Sequence, residues 1–192
     1  MNNITEMDRN SLNWNCDRKA KCDWTASTAQ YLEEHWKGDY RFFESDKDGT
    51  LVPFGDKSAY EKSHMDVYLV LYSAFTPVIT YAVELKERLG LYTSTYYGEE
   101  GQEGWMYNIP KDGYFRDEMK AGRIPLFSNL YPDSAITIWN ISKIAPENIG
   151  RTTKNIKKVN IDPNSKKILQ DRLLLMNKDG ITIKRIFDGG VR

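Results

Sequence analysis

The sequence predicts an α/β protein with a mixed central sheet covered on both faces. Three observations predict it. The run Thr76–Arg88 is apolar, β-branched and aromatic on both of its alternating faces before it ends in Glu84-Leu85-Lys86, the pattern of a strand buried from two sides. A second run, His64–Leu71, alternates Val67, Leu69 and Leu71 against Asp66, Tyr68 and Val70, and a turn-rich link of six residues joins the two as a hairpin. Helical spacing brackets the pair, with Ala29, Leu32 and Trp36 upstream and Phe115 and Met119 downstream, so helices are expected to cover the sheet.

Composition bounds the class. The chain has 192 residues, 40% hydrophobic and 28% charged, ordinary for one globular domain with a substantial core. No apolar run reaches membrane-spanning length and the amino-terminal residues do not form a signal peptide, so the expectation is a cytoplasmic protein without a membrane partner. Formal charge is zero but uneven: residues 1–150 carry 16 basic and 23 acidic side chains, and residues 151–192 carry 11 and 4. A basic end on an acidic body suggests a phosphate-binding arm, with Lys154, Lys157 and Lys158 as nucleic-acid contacts, or else a tail docked on the body. Cys16 and Cys22 have five residues between them. Their spacing does not suit a zinc knuckle with His35 and His64, and they read as unligated thiols.

In chain order, residues 1–23 read as a polar, irregular arm. A helix follows to Gly38, capped by Asp23 or Thr25. Asp39–Glu44 reads as the first strand and Asp46-Lys-Asp-Gly49 as a turn, since the further ligands of a calcium loop are missing. The glycine-rich segment after the Glu-Leu-Lys strand carries tyrosines suited to stacking on bases or to packing on the body. Lys111–Gly122 reads as a helix with Phe115 and Met119 buried, and residues 123–128 and 134–141 as two strands. At the end, residues 173–176 and 181–187 suggest a β-hairpin, with a helix over 164–176 as the rival. The expected organisation is an arm (1–23), a core (24–145) and a basic extension (146–192).

The chemistry lies at the end of the long strand. Side chains two apart share a face, so Glu84 and Lys86 point the same way. Antiparallel pairing brings Asp66 beside Glu84. Two close carboxylates call for a cation between them, and a hard divalent ion suits their oxygens. Asp66, a spacer of seventeen residues, then Glu84-x-Lys86 resembles the PD-(D/E)xK nuclease superfamily of restriction endonucleases and Holliday-junction resolvases. Met65 stands where a proline often precedes the aspartate. The resemblance spans about residues 24 to 142. It implies a three-layer α/β/α, restriction-endonuclease-like fold and hydrolysis of phosphodiester bonds, DNA foremost. It also implies Mg²⁺ or Mn²⁺ held by Asp66, Glu84 and the Leu85 carbonyl, and a water-activating Lys86. Homodimerisation, common in such enzymes, is left open. The family's first helix often adds a glutamate, but here its place falls near Ser27 or Thr28. Glu33 is an accessory candidate at the stripe's edge, and Lys111, Arg116 and Lys120 are the candidate cations of the later helix. The alternative is a catalytically inactive nucleic-acid-binding or structural protein on the same fold.

Overall fold

The computed structural model describes residues 6–60, 63–87, 104–131, 135–145, 150–157, 167–176 and 181–183, with side chains over 18–60, 63–87, 111–131 and 135–145. The protein is α/β. Its elements run α1 (Glu6–His35), β1 (Tyr40–Ser45), β2 (Leu51–Pro53), β3 (Val67–Ser73), β4 (Thr76–Glu87), β5 (Gly104–Asn108), α2 (Ile109–Lys120), β6 (Ile124–Leu130), β7 (Ile136–Asn140), β8 (Gly150–Lys157), β9 (Lys167–Met176) and β10 (Ile181–Ile183).

The main sheet is mixed and open, with strand order β10-β7-β6-β4-β3-β1-β2. The β3–β4 hairpin is antiparallel in the register Val67↔Val83, which sets Asp66 next to Glu84. β4 and β6 are parallel, Glu84 opposing Phe127. A parallel neighbour cannot be reached by a tight turn, and the chain makes the crossover through α2.

Alternation along the strands sends the core in two directions. Val67, Val83, Leu85, Leu126 and Ile136 pack with Ala20 and Trp24 of α1. Tyr68, Ala82, Phe127 and Trp139 pack with Phe115 of α2. The Trp24 indole N–H donates to Ser128 Oγ at 2.9 Å, and that hydroxyl donates to the Thr137 carbonyl at 3.1 Å. The buried tryptophan therefore has a partner for its polar edge, as its burial requires.

Several expectations need correction. The first helix begins at Glu6, not near Asp23, so the segment expected to be an irregular arm is helical over most of its length. Residues 6–35 contain neither glycine nor proline, so nothing in the backbone interrupts a helix there. Asp23 and Thr25 are interior residues rather than caps. Asp23 accepts from Lys19 one turn back at 2.6 Å, and Thr25 Oγ1 donates to the Cys22 carbonyl at 2.9 Å. Only the C-terminal part of β4 is covered on both sides: Ala82 to Leu85 are buried, whereas Thr76, Pro77 and Val78 are exposed. That end projects with its turn, where Ala74 and Phe75 both take positive φ (47° and 66°). The last buried residue of α1, Leu32, packs on Leu69 and Leu71, short of the hairpin tip.

On α2, Phe115 is buried but Met119 is exposed. Glu118 turns inward instead, accepting from the Tyr68 hydroxyl at 3.1 Å and pairing with Arg123. Burial and the adjacent Glu118 push the Tyr68 phenol up to about 12.

The terminal strands pair differently from the expected hairpin. β9 joins β8 and β5 in a separate three-stranded sheet, while β10 adds to β7 at the edge of the main sheet. The rival helix over 164–176 is a strand from Lys167. Eight of the ten residues of β9 form an eight-pair ladder with β8, satisfying more backbone groups than the short hairpin with residues 181–187 offers. Among the described residues no helix is long and apolar enough to cross a membrane.

Candidate functional site

Three adjacent strands end or begin at one edge of the main sheet, and each brings a carboxylate. β1 reaches that edge at Glu44, β3 starts there just after Asp66, and β4 leaves it through Glu84 and Lys86. Pairing Phe43↔Tyr68 and Val67↔Val83 fixes the row. Period-2 alternation keeps Val83 and Leu85 with α1, so Glu84 and Lys86 project toward α2.

Glu84 is the most buried carboxylate of the row, at 1% exposure. Lys86 Nζ lies 2.7 Å from its Oε1, and Lys111 Nζ from the start of α2 lies 2.7 Å from its Oε2. An ionised carboxylate this deep is tolerated because both oxygens face ammonium groups. Lys111 is steadied from behind, since its Nζ sits over the Tyr114 ring at 5.6 Å, and His64 stacks on the same ring at 4.0 Å.

Asp66 is held differently. The Leu85 N–H donates to its Oδ2 at 2.7 Å, and the Asp66 N–H donates to the Val83 carbonyl at 2.8 Å. Burial and the nearby Glu84 charge raise its carboxyl above the ordinary range, against the Leu85 N–H, Lys86 and Lys21. Glu84 is thus close enough to oppose the ionisation of Asp66.

Glu44 closes the row on the α1 side. Arg18 Nη1 donates to its two oxygens at 3.1 and 2.8 Å, the Gly55 N–H donates to Oε2 at 3.0 Å, and Lys21 Nζ lies 3.3 Å from Oε1. Burial works to raise the Glu44 carboxyl, but these donors reverse that and leave it below the ordinary range.

Of the residues singled out in the sequence, Asp66, Glu84, Lys86 and Lys111 meet at this edge. Arg116 and Lys120 do not: each pairs with an aspartate of its own helix, Asp112 and Asp117, on the exposed side of α2. Glu33 is also outside the site. It is exposed, and its charge acts on Tyr40, whose phenol is raised by burial and by Glu33. Lys154 and Lys157 lie on β8, opposite Gln170 and Lys167, and Lys158 lies outside the described residues. The tyrosine- and glycine-rich segment after β4 also falls outside them. Cys22 is exposed, while His35 stacks on Tyr31 and His64 on Tyr114.

Sequence reasoning missed Arg18, Lys21 and Glu44. The signal was present: Ala20, Trp24, Thr28 and Leu32 recur every four residues, and all are buried. Carried back through residues 18–22, that helical stripe brings Lys21 to the sheet edge.

The donor set suits a divalent ion that keeps much of its water. Two carboxylates on neighbouring strands adjoin the Leu85 peptide, and the buried one is neutralised by positive charge. Among the described residues no group of three or more His, Cys, Asp or Glu side chains is arranged to hold a metal, so backbone and water would complete the shell, as Mg²⁺ commonly accepts. No family model, no curated protein and no solved structure matches this chain.

Proposed function

We propose that the protein is a metal-dependent nuclease that hydrolyses phosphodiester bonds in nucleic acid, DNA foremost, on a three-layer restriction-endonuclease-like core. One observation carries the reading: Asp66, Glu84 and Lys86 converge at a single sheet edge, with Lys111 joining them from α2. The packing of α1 and α2 residues on opposite faces of the sheet, and the parallel β4–β6 pair, support the architecture.

Asp66, Glu84 and the Leu85 carbonyl would hold Mg²⁺ or Mn²⁺. When bound, such an ion lowers the pKa of coordinated water and stabilises charge on the reacting phosphorus. Lys86, on the same strand face as Glu84, orients the attacking water by donating a hydrogen bond from its ammonium group. Lys111 adds positive charge for the phosphate, and Tyr114 limits its wandering. Leu85 fixes the Asp66 carboxylate through its N–H, so this ligand enters the reaction with its rotamer already chosen.

The test is cleavage of a panel of single- and double-stranded DNA and RNA with and without Mg²⁺. Wild type is compared with Asp66→Ala, Glu84→Ala and Lys86→Ala. Each substitution is expected to remove Mg²⁺-dependent cleavage, and activity surviving all three would exclude these residues from the chemistry. A second reading, a binding or structural protein on the same core, is favoured by the engagement of both Glu84 oxygens with lysines. It expects nucleic-acid binding without cleavage, unchanged by Mg²⁺.

A further inference from the structure

His64, at the rim of the site, takes no part in the chemistry proposed above. Its ring stacks on Tyr114 with centroids 4.0 Å apart and 17° between the planes. Tyr114 belongs to α2 and packs against the core cluster that holds Met65 and Phe115. The Tyr114 ring also lies 5.6 Å from Lys111 Nζ, which reaches Glu84 Oε2 at 2.7 Å. His64 is exposed even though Tyr114 covers one face of its imidazole, so the other face is open to water.

The ring is held in place before anything binds. The Ser63 hydroxyl donates to the Met65 carbonyl at 2.7 Å, bridging the backbone across His64, and the Ser45 and Ser63 hydroxyls lie 2.7 Å apart. Met65 is buried, and the Asp66 N–H donates to the Val83 carbonyl at 2.8 Å. An aromatic surface fixed in this way loses little freedom when a flat partner settles on it. Two residues of chain span at most about 7 Å, so His64 is carried close to the Asp66 backbone. Ammonium charge from Lys86 and Lys111, both partly open to water, thus adjoins an open ring face. That combination suits single-stranded nucleic acid: the cations track the phosphates and the ring takes a base, whatever its sequence. An internal base of a duplex is already stacked on both faces and must first be pulled from the helix, at a cost.

We propose that His64, backed by Tyr114, is a specificity-determining residue that stacks on an unpaired base beside the phosphate held at Lys111, so that the site favours single strands and strand ends over intact duplex. The proposal rests on the reading above for its nucleic-acid partner, and deepens it by naming the class of substrate. Its own basis is the open imidazole face and the lysine next to the ring that supports it.

The experiment measures binding of the full chain to fluorescein-labelled oligonucleotides in EDTA, where no metal-dependent cleavage can occur, with thermal unfolding alongside. Three probes of one length are compared: single-stranded oligothymidylate, the same backbone made abasic throughout, and the thymidylate annealed to its complement. Wild type is expected to bind the thymidylate single strand tightest. His64→Ala should weaken that binding by about 5- to 20-fold, the lower part of the range for one base–aromatic stack, and leave the abasic strand unchanged. His64→Phe, which keeps a flat ring, should stay near wild type. Should His64→Ala fail to fold, His64→Leu covers Tyr114 without offering a flat face and is expected to show the same loss. A histidine that merely clips α2 to the start of β3 would lower the melting temperature in His64→Ala and change binding of all three probes alike. That result, or a wild type that does not distinguish thymidylate from the abasic strand, overturns the inference and leaves the nuclease reading standing. No binding to any probe overturns the inference as well, and Mg²⁺-dependent cleavage of the same strands then decides the nuclease reading separately. Absence of such cleavage with the single-strand preference intact overturns the nuclease reading and leaves the stacking site.

Discussion

Replacing Glu84 with glutamine tests the site as electrostatics, independently of any reaction. The side chain is 1% exposed, and its two ammonium partners stand at 2.7 Å each. Removing one member of a fully buried pair typically costs about 3–5 kcal/mol, because the other charge is stranded. Lys86 is 47% exposed, so water takes over much of its solvation and its share is about 0–1 kcal/mol. Lys111, 26% exposed and held over Tyr114, has less recourse. The expected net loss for Glu84→Gln is therefore about 2–3 kcal/mol, just below the fully buried range because both lysines keep some contact with water. For a chain of this size each kcal/mol moves the midpoint by about 2–4 °C, so the melting temperature should fall by roughly 4–12 °C. The assay is thermal and urea unfolding of wild type, Glu84→Gln, Lys111→Met and the double variant. The double variant should lose less than the sum of the single losses, since Lys111 is then no longer left as a stranded charge and Lys86 is half in water. A Glu84→Gln midpoint within 1 °C of wild type, or strict additivity, would refute the reasoning.

Asp66→Asn should do the reverse at neutral pH. Burial and the Glu84 charge raise the Asp66 carboxyl, so its favourable contribution belongs to the protonated form at low pH and is lost as pH rises through the raised value. Asparagine keeps an acceptor for the Leu85 N–H without the charge, so a gain of about 0.5–2 kcal/mol is expected near pH 7, vanishing in acid, together with loss of Mg²⁺-dependent cleavage. A pH-independent stability difference in urea titrations would contradict this. Glu44 has the opposite sign: its lowered carboxyl contributes stability above the ordinary carboxylate range, lost as pH falls through the lowered value. Glu44→Gln should therefore flatten the acid limb of a stability–pH curve, and a parallel curve would count against the Arg18–Lys21 bracket. Ser128→Ala removes the acceptor of the buried Trp24 N–H and the donor to Thr137. It should cost about 1–3 kcal/mol in urea unfolding, and a neutral result would show that the hydroxyl bridge contributes little.

Much of the main sheet was legible because its code is local. Period-2 alternation in residues 64–87 announced a hairpin, and with it the adjacency of Asp66 to Glu84 and the shared face of Glu84 and Lys86. The helix bearing Phe115 was equally plain. Its inward-turning Glu118 was not, because a buried carboxylate is intelligible only once Tyr68 and Arg123 are beside it. The same holds for the terminal strands: local hydrophobicity suggested a hairpin, whereas the choice among β8, β5 and β7 depends on ladders formed between segments far apart in the chain.

The sequence by itself determined which side chains a β-hairpin must bring together, since the rise and alternation of a strand leave little freedom. Tertiary structure alone decided which cations reach them. Lys111 rather than Arg116 or Lys120 meets Glu84, and Lys21 rather than Glu33 comes from the first helix. Those choices turn on where each helix crosses the sheet edge. That crossing is set by the packing of Trp24 and Phe115 against residues distant in the chain, which periodicity along one helix does not encode.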